Sequence, residues 1–169
     1  MGDTEDGDFM LEHGAVFWPY IEYNGEYWRL LTAAFLHFGF MHLFNNMLVL
    51  GFLGDNLERA LGKLKYGALY ITGAVGSNFC SFIIDKAKES YSVSAGASGA
   101  VFAVVGGMIY VLIRNKGRLE DLDQRRLILF VLMSLYMGYT TASINNTAHI
   151  SGLFIGFIAA AVLYRKKAN

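Results

Sequence analysis

Five apolar stretches, each long enough or nearly long enough to cross a bilayer core, constrain this chain more than anything else in it. A helix needs about 20 residues to span that core, with roughly 17 to 25 tolerated. The stretches run 30–53, 66–84, 97–113, 127–142 and 148–164, and no Asp, Glu, Lys or Arg lies between Leu127 and Tyr164. Buried helices of a soluble protein are the alternative, but five in succession with few amphipathic stripes argue against it. Composition agrees, with 54% of residues hydrophobic and 17% charged. One proline, Pro19, and one cysteine, Cys80, exclude collagen-like and disulfide-scaffold chains. The formal net charge is zero, so no overall field holds the chain on nucleic acid, and no nucleic-acid partner is expected. The fold class expected is all-α, a polytopic membrane helix bundle embedded in the lipid bilayer.

Position-by-position charge gives the orientation, because positive loops stay on the cytoplasmic side. Of the 14 basic residues, 11 fall on one side: Arg59, Lys63 and Lys65, then Arg114, Lys116, Arg118, Arg125 and Arg126, then Arg165, Lys166 and Lys167. Only Arg29, Lys86 and Lys88 fall on the other. A multi-pass protein of the cell membrane with a cytoplasmic C-terminus follows. Residues 1–29 are expected as an extracytoplasmic acidic segment and loop, 30–164 as the transmembrane domain and 165–169 as a basic cytoplasmic tail. Seven of the 14 acidic residues precede Leu30, yet this outside segment has no signal-peptide pattern. The odd span count therefore predicts a further transmembrane helix ahead of Met1.

Polar groups inside a bilayer are costly and point to function. Three clusters qualify: His37, His42 and Asn46 in the first stretch, Gly96-Ala97-Ser98-Gly99 at the start of the third, and Ala148-His149 at the start of the fifth. Ser98 precedes Arg114 by 16 residues, and His149 precedes Arg165 by 16. At 1.5 Å per residue both lie about 24 Å above the cytoplasmic anchors. Small residues every fourth position allow close helix approach. The fifth stretch carries Ala148, Gly152, Gly156 and Ala160; the third carries Gly99, Ala103 and Gly107. Packing these stripes together brings Ser98 against His149.

Serine becomes a nucleophile when a neighbouring base takes its proton, and His149 is the only histidine outside the first stretch and the N-terminal segment. An oxyanion formed on a peptide carbonyl needs donors placed beforehand. His42 and Asn46, at i and i+4, share a helix face, and the Ser98 N–H at a helix N-terminus is a third donor. No Asp or Glu follows Asp123 or lies between Tyr91 and Leu119, so a dyad, not a triad, is expected. Blander readings stand beside this one. A serine between glycines in a membrane helix is more often a packing residue than a nucleophile. His37 and His42 could bind a metal, but five residues apart on one helix they diverge, and neither begins an H-E-x-x-H pattern. His13 reads as solvated, Cys80 as packing, and Tyr23, Tyr27 and Trp28 as an interfacial aromatic belt.

Taken together, these residues resemble the rhomboid intramembrane serine proteases over nearly the whole chain. Trp28-Arg29 is similar to the family's loop motif, His37 with His42-x-x-x-Asn46 to its second helix, Gly96-Ala97-Ser98-Gly99 to its GxSG, and Ala148-His149-x-x-Gly152-x-x-x-Gly156 to its last helix. The resemblance implies Ser98 as nucleophile, His149 as base, His42 and Asn46 as oxyanion donors, and Phe102 packing near the histidine ring. It implies transmembrane protein substrates with helix-breaking residues, cut near the outer face. No ATP motif, nucleotide fingerprint or metal site appears in the sequence, so no cofactor is expected. Family members have six core helices, so five of six are expected here, the chain beginning in the loop after the first. An inactive rhomboid-like protein that binds membrane clients is the alternative; it is disfavoured because both the serine and the histidine are present. A transporter is a more distant alternative, without a broken-helix pair or inverted repeat in the sequence to support it.

Overall fold

A computed structural model of the chain describes residues 3–116, 118–119, 122–123, 127 and 145–165. The elements are α1 (Gly7–Glu12), α2 (Trp18–Asn24), α3 (Arg29–Thr32) running into a 3₁₀ turn (Ala33–Phe35), α4 (Gly39–Leu61), α5 (Lys63–Ala87), α6 (Ser98–Arg114), the two-residue strands β1 (Arg118–Leu119) and β2 (Leu122–Asp123), and α7 (Asn146–Leu163). β1 and β2 pair antiparallel, a minor departure from an all-α chain. The bundle is otherwise helical. Among the described residues α5 and α7 are long and apolar enough to cross a membrane, and the pair Arg29–Phe35 and Gly39–Leu61 makes a third span if counted as one. At 17 residues α6 is a shorter apolar helix. The fourth expected stretch, 127–142, lies outside the described residues except for Leu127.

The first expected stretch is not one continuous helix. The chain bends by 90° between Phe35 and Gly39, because Leu36 is extended (φ −96°, ψ 150°) and Gly39 takes a left-handed φ of 74° that disfavours any side chain. Asn46 stays in the helix that follows, as does His42. His37, which the sequence places on that helix, sits instead in the bend.

The acidic N-terminal segment is folded. Asp6 caps α1 by accepting the N–H groups of Asp8 and Phe9; Pro19 opens α2, and Gly25 closes it in a left-handed conformation. Charge alone reads this stretch as a tail, but its apolar residues have a place to go. Val16, Trp18 and Ile21 bury against Leu30, Ala33 and Phe82, and Val16 bridges antiparallel to Ser94. Glu22 pairs with Lys86 of α5 at 2.8 Å. His13 is exposed, stacked on Phe9, and Tyr23, Tyr27 and Trp28 are exposed.

The main core gathers Leu53, Leu57 and Leu61 of α4, Leu69 of α5 and Val104, Val105, Met108, Val111 and Leu112 of α6. α6 is buried nearly all round along its first two-thirds, as expected of a central helix whose residues are apolar on every face. Its most extensive partner is α7, and the small-residue stripes meet in register. A Cβ at Gly152 would overlap the carbonyl of Gly99; one at Gly156 would overlap that of Ala103; one at Gly107 would touch Ala160. At the opposite end from Ser98, Lys65 Nζ donates to the Leu163 carbonyl at 3.0 Å, and Asn115 Nδ2 donates to Tyr164 Oη at 2.9 Å. Those contacts gather Arg59, Lys63, Lys65, Arg114, Lys116 and Arg165 at one end of the bundle.

Candidate active site

Ser98 is the first residue of α6 and His149 the fourth of α7. The Gly99–Gly152 contact lies one residue beyond the serine and three beyond the histidine, so the two helix starts face each other. His149 is buried at 8% exposure, and its ring stacks on Phe102, with centroids 4.3 Å apart and planes 11° from parallel. Phe102 lies one turn below Ser98 on α6, where a side chain packs across the turn toward its neighbour helix. No hydrogen bond joins the Ser98 hydroxyl to either imidazole nitrogen, and His149 Nδ1 is buried without a partner among the described residues. Catalytic hydrogen bonds often tighten only when substrate is bound.

The loop leading into Ser98 is held from three directions. Gly96 N–H donates to the Ala33 carbonyl at 2.9 Å, and Ala97 N–H donates to His37 Nε2 at 3.2 Å. Accepting that bond leaves a neutral His37 with its proton on Nδ1. The third hold is steric: a Cβ on Gly96 would lie 2.7 Å from His42 Cε1 and 2.9 Å from Nε2. Gly96 also has a φ of 142°, so backbone and space both require glycine. The His42 ring thus lies against the residue two before Ser98. It meets His37 edge-on at 5.2 Å. The divergence of His37 from His42 expected on a continuous helix does not occur, because the bend takes His37 off that helix. Among the described residues no group of three or more His, Cys, Asp or Glu side chains could hold a metal ion.

Asn46 is buried one turn below His42, and its Nδ2 has no hydrogen-bond partner among the described residues. A buried amide donor left free is unusual in a folded protein. Trp28 and Arg29 organise the N-terminal segment. Arg29 is 4% exposed; its Nε donates to Glu26 at 2.6 Å, and one terminal nitrogen donates to the carbonyls of Leu11 at 2.7 Å and Ala15 at 3.0 Å. The guanidinium also stacks over Trp28 and Tyr20. Glu26 is held below the usual carboxylate range, first by the Asn24 amide and then by Arg29.

Several further residues pack around the helix starts. Ser77 of α5 packs against Gly99, and Asn78 Nδ2 donates to the Leu30 carbonyl at 2.9 Å. Gly73, Ser77 and Ser81 form a four-residue stripe on α5, as legible in the sequence as those on α6 and α7. Asn145, which caps α7, is announced by the helix-start preference for Asn.

The sequence matches the family described as "Rhomboid domain" over residues 24–166. It is 36% identical over 146 residues to "Rhomboid protease GluP" of Bacillus subtilis (strain 168), covering 86% of this chain and 28% of that protein. It is 38% identical over 142 residues to "RHOMBOID-like protein 5" of Arabidopsis thaliana, covering 83% of this chain and 45% of that one. "Rhomboid-like protease 1" of Toxoplasma gondii is 32% identical over 166 residues, covering 96% and 55%. The chain thus spans between about a quarter and about half the length of these relatives.

Proposed function

Because this multi-pass membrane protein belongs to the rhomboid family, we propose that it is an intramembrane serine endopeptidase working through Ser98 and His149. Ser98 Oγ attacks a substrate peptide carbonyl while His149 takes its proton. The resulting tetrahedral oxyanion is met by Asn46 Nδ2, the His42 ring and the Ser98 N–H. Collapse expels the amine, which receives the proton from His149, and leaves an acyl-enzyme on Ser98. A water deprotonated by the same histidine then releases the new carboxyl end and restores the serine.

The observation that carries this reading is that Asn46 Nδ2 and His149 Nδ1 are two of the four buried side-chain polar atoms without a hydrogen-bond partner among the described residues, with His149 on the helix start that faces the one carrying Ser98. A packing role for Asn46 would leave its donor unsatisfied, at a cost of about 1–3 kcal/mol. A reaction that develops negative charge gives that donor an acceptor. The substrate class proposed is a transmembrane segment with helix-breaking residues, since a peptide bond inside a helix is shielded by its neighbours. Its cut lies near the outer face, because Ser98 and His149 sit at the end of the bundle opposite the cluster of Arg59, Lys63, Lys65, Arg114, Lys116 and Arg165. The same charge asymmetry supports a cytoplasmic C-terminus.

A fluorophosphonate probe tests the assignment. Covalent labelling is expected in the wild type and absent in Ser98→Ala and His149→Ala. Labelling that persists in Ser98→Ala refutes it. A folded wild type that binds transmembrane segments but neither labels nor cuts would instead be a client-binding member of the family.

A further inference from the structure

Asn145 stands where the three elements that build the site converge. Its Oδ1 accepts the Ala148 N–H at 3.0 Å, one residue before His149, and so caps α7. Its Nδ2 donates to Ser81 Oγ of α5 at 2.5 Å and to Ser94 Oγ at 3.0 Å. Ser94 is four residues before Ser98, and its backbone exchanges two hydrogen bonds with Val16, at 2.8 and 3.0 Å. Ser81 Oγ donates onward to Asp85 Oδ2 at 3.3 Å. That donation leaves its lone pairs to receive the amide, so every bond in the chain from Asn145 through Ser81 to Asp85 has a defined direction. One side chain thereby ties the first turn of the helix carrying His149 to the loop that feeds Ser98 and to the helix behind both.

The tie supplies something the helix packing lacks. The small-residue interface holds α6 and α7 close by steric contact, Gly152 on Gly99 and Gly156 on Ala103, and steric contact is less directional than a hydrogen bond. Phe102 fixes the plane of the His149 ring, not its height, and no hydrogen bond sets His149 against Ser98. Capping by itself is met by Ser, Thr or Asp. None of these adds two N–H donors to the acceptor, which is what this position uses.

We propose that Asn145 is a positioning residue of the proposed dyad, setting the height of His149 relative to Ser98 through Ser81 and Ser94. This rests on Ser98 and His149 being nucleophile and base. Two variants of the full chain separate positioning from capping. Asn145→Ser keeps a cap but cannot reach both serines; Ser81→Ala with Ser94→Ala keeps Asn145 and its cap but removes both acceptors. Cleavage of a transmembrane reporter in proteoliposomes gives kcat and KM, and thermal unfolding gives the folded fraction. A misplacement of about 1 Å costs up to about 10² in rate. Each variant is therefore expected to lose roughly ten- to a hundredfold in kcat with KM within about twofold, and to label with fluorophosphonate correspondingly more slowly. Unchanged kcat in either folded variant overturns the proposal, as does a loss that follows the folded fraction alone. If Ser98→Ala still cuts, the dyad itself is wrong and the positioning role falls with it. If Ser98→Ala is dead while both variants match the wild type, the dyad stands and only Asn145 is reassigned.

Discussion

Gly152→Ala puts the meeting of α6 and α7 to a direct test. The added Cβ would overlap the Gly99 carbonyl oxygen and lie 3.0 Å from its carbon and 3.3 Å from the Gly99 Cα. Both partners are backbone, so no rotamer change relieves the contact. Carbon atoms prefer separations of about 3.5–4.0 Å, and the helices must part by about 1 Å. Overpacking of this kind costs about 1–3 kcal/mol, against which alanine recovers up to about 1 kcal/mol of helix propensity. The expected balance is a loss of about 1–2 kcal/mol in stability, with Gly152→Val worse. The same displacement moves Ser98 from His149, so the labelling rate should fall by up to about a hundredfold. Gly67→Ala on α5 is the internal control, since its Cβ meets nothing within 4 Å. It should hold or raise stability, by about 0.5–1 kcal/mol, with labelling unchanged. Thermal unfolding in detergent micelles and the rate of fluorophosphonate labelling report both quantities. A Gly152→Ala protein that unfolds no earlier than the wild type and labels at the same rate would refute the close packing on which the dyad depends.

Asn46→Ala and His42→Ala should each lower kcat by about 10²–10³ while the bundle stays folded, as loss of an oxyanion donor does; activity and melting temperature falling in proportion would make them structural residues instead. EDTA should leave cleavage unchanged, and inhibition reversed by added zinc would revive a metal role for His37 and His42. Glu26 has its carboxyl lowered in the folded state, so the stability it contributes is present above the ordinary glutamate value and is lost as pH falls through the lowered one. Glu26→Gln should remove that acid-side decline from a melting-temperature profile, and an unaltered profile would show that the contacts with Asn24 and Arg29 do not couple to folding.

What the sequence determined by itself is whatever depends on short-range period. The apolar stretches locate α5, α6 and α7 to within three residues at each end, because hydropathy and helix length are local quantities. The four-residue stripes on α6 and α7 bring their partners in register, Gly99 on Gly152 and Ala103 on Gly156, since a helix repeats its faces whatever surrounds it. Tertiary structure decided the rest. The 90° bend before Gly39 has no proline to announce it, and it exists together with contacts 60 residues away, where His37 receives the Ala97 N–H. The N-terminal segment reads as an acidic tail until α5 and the 3₁₀ turn supply the apolar surface against which Val16, Trp18 and Ile21 bury. Arg29 is legible in the sequence as part of the Trp28-Arg29 pair, but its partners appear only once the carbonyls of Leu11 and Ala15 are folded onto it. The convergence of Ser81, Ser94 and Asn145 joins positions up to 64 residues apart. No local period encodes such a meeting, because hydrogen bonds between distant segments form only after the helices that carry them have packed.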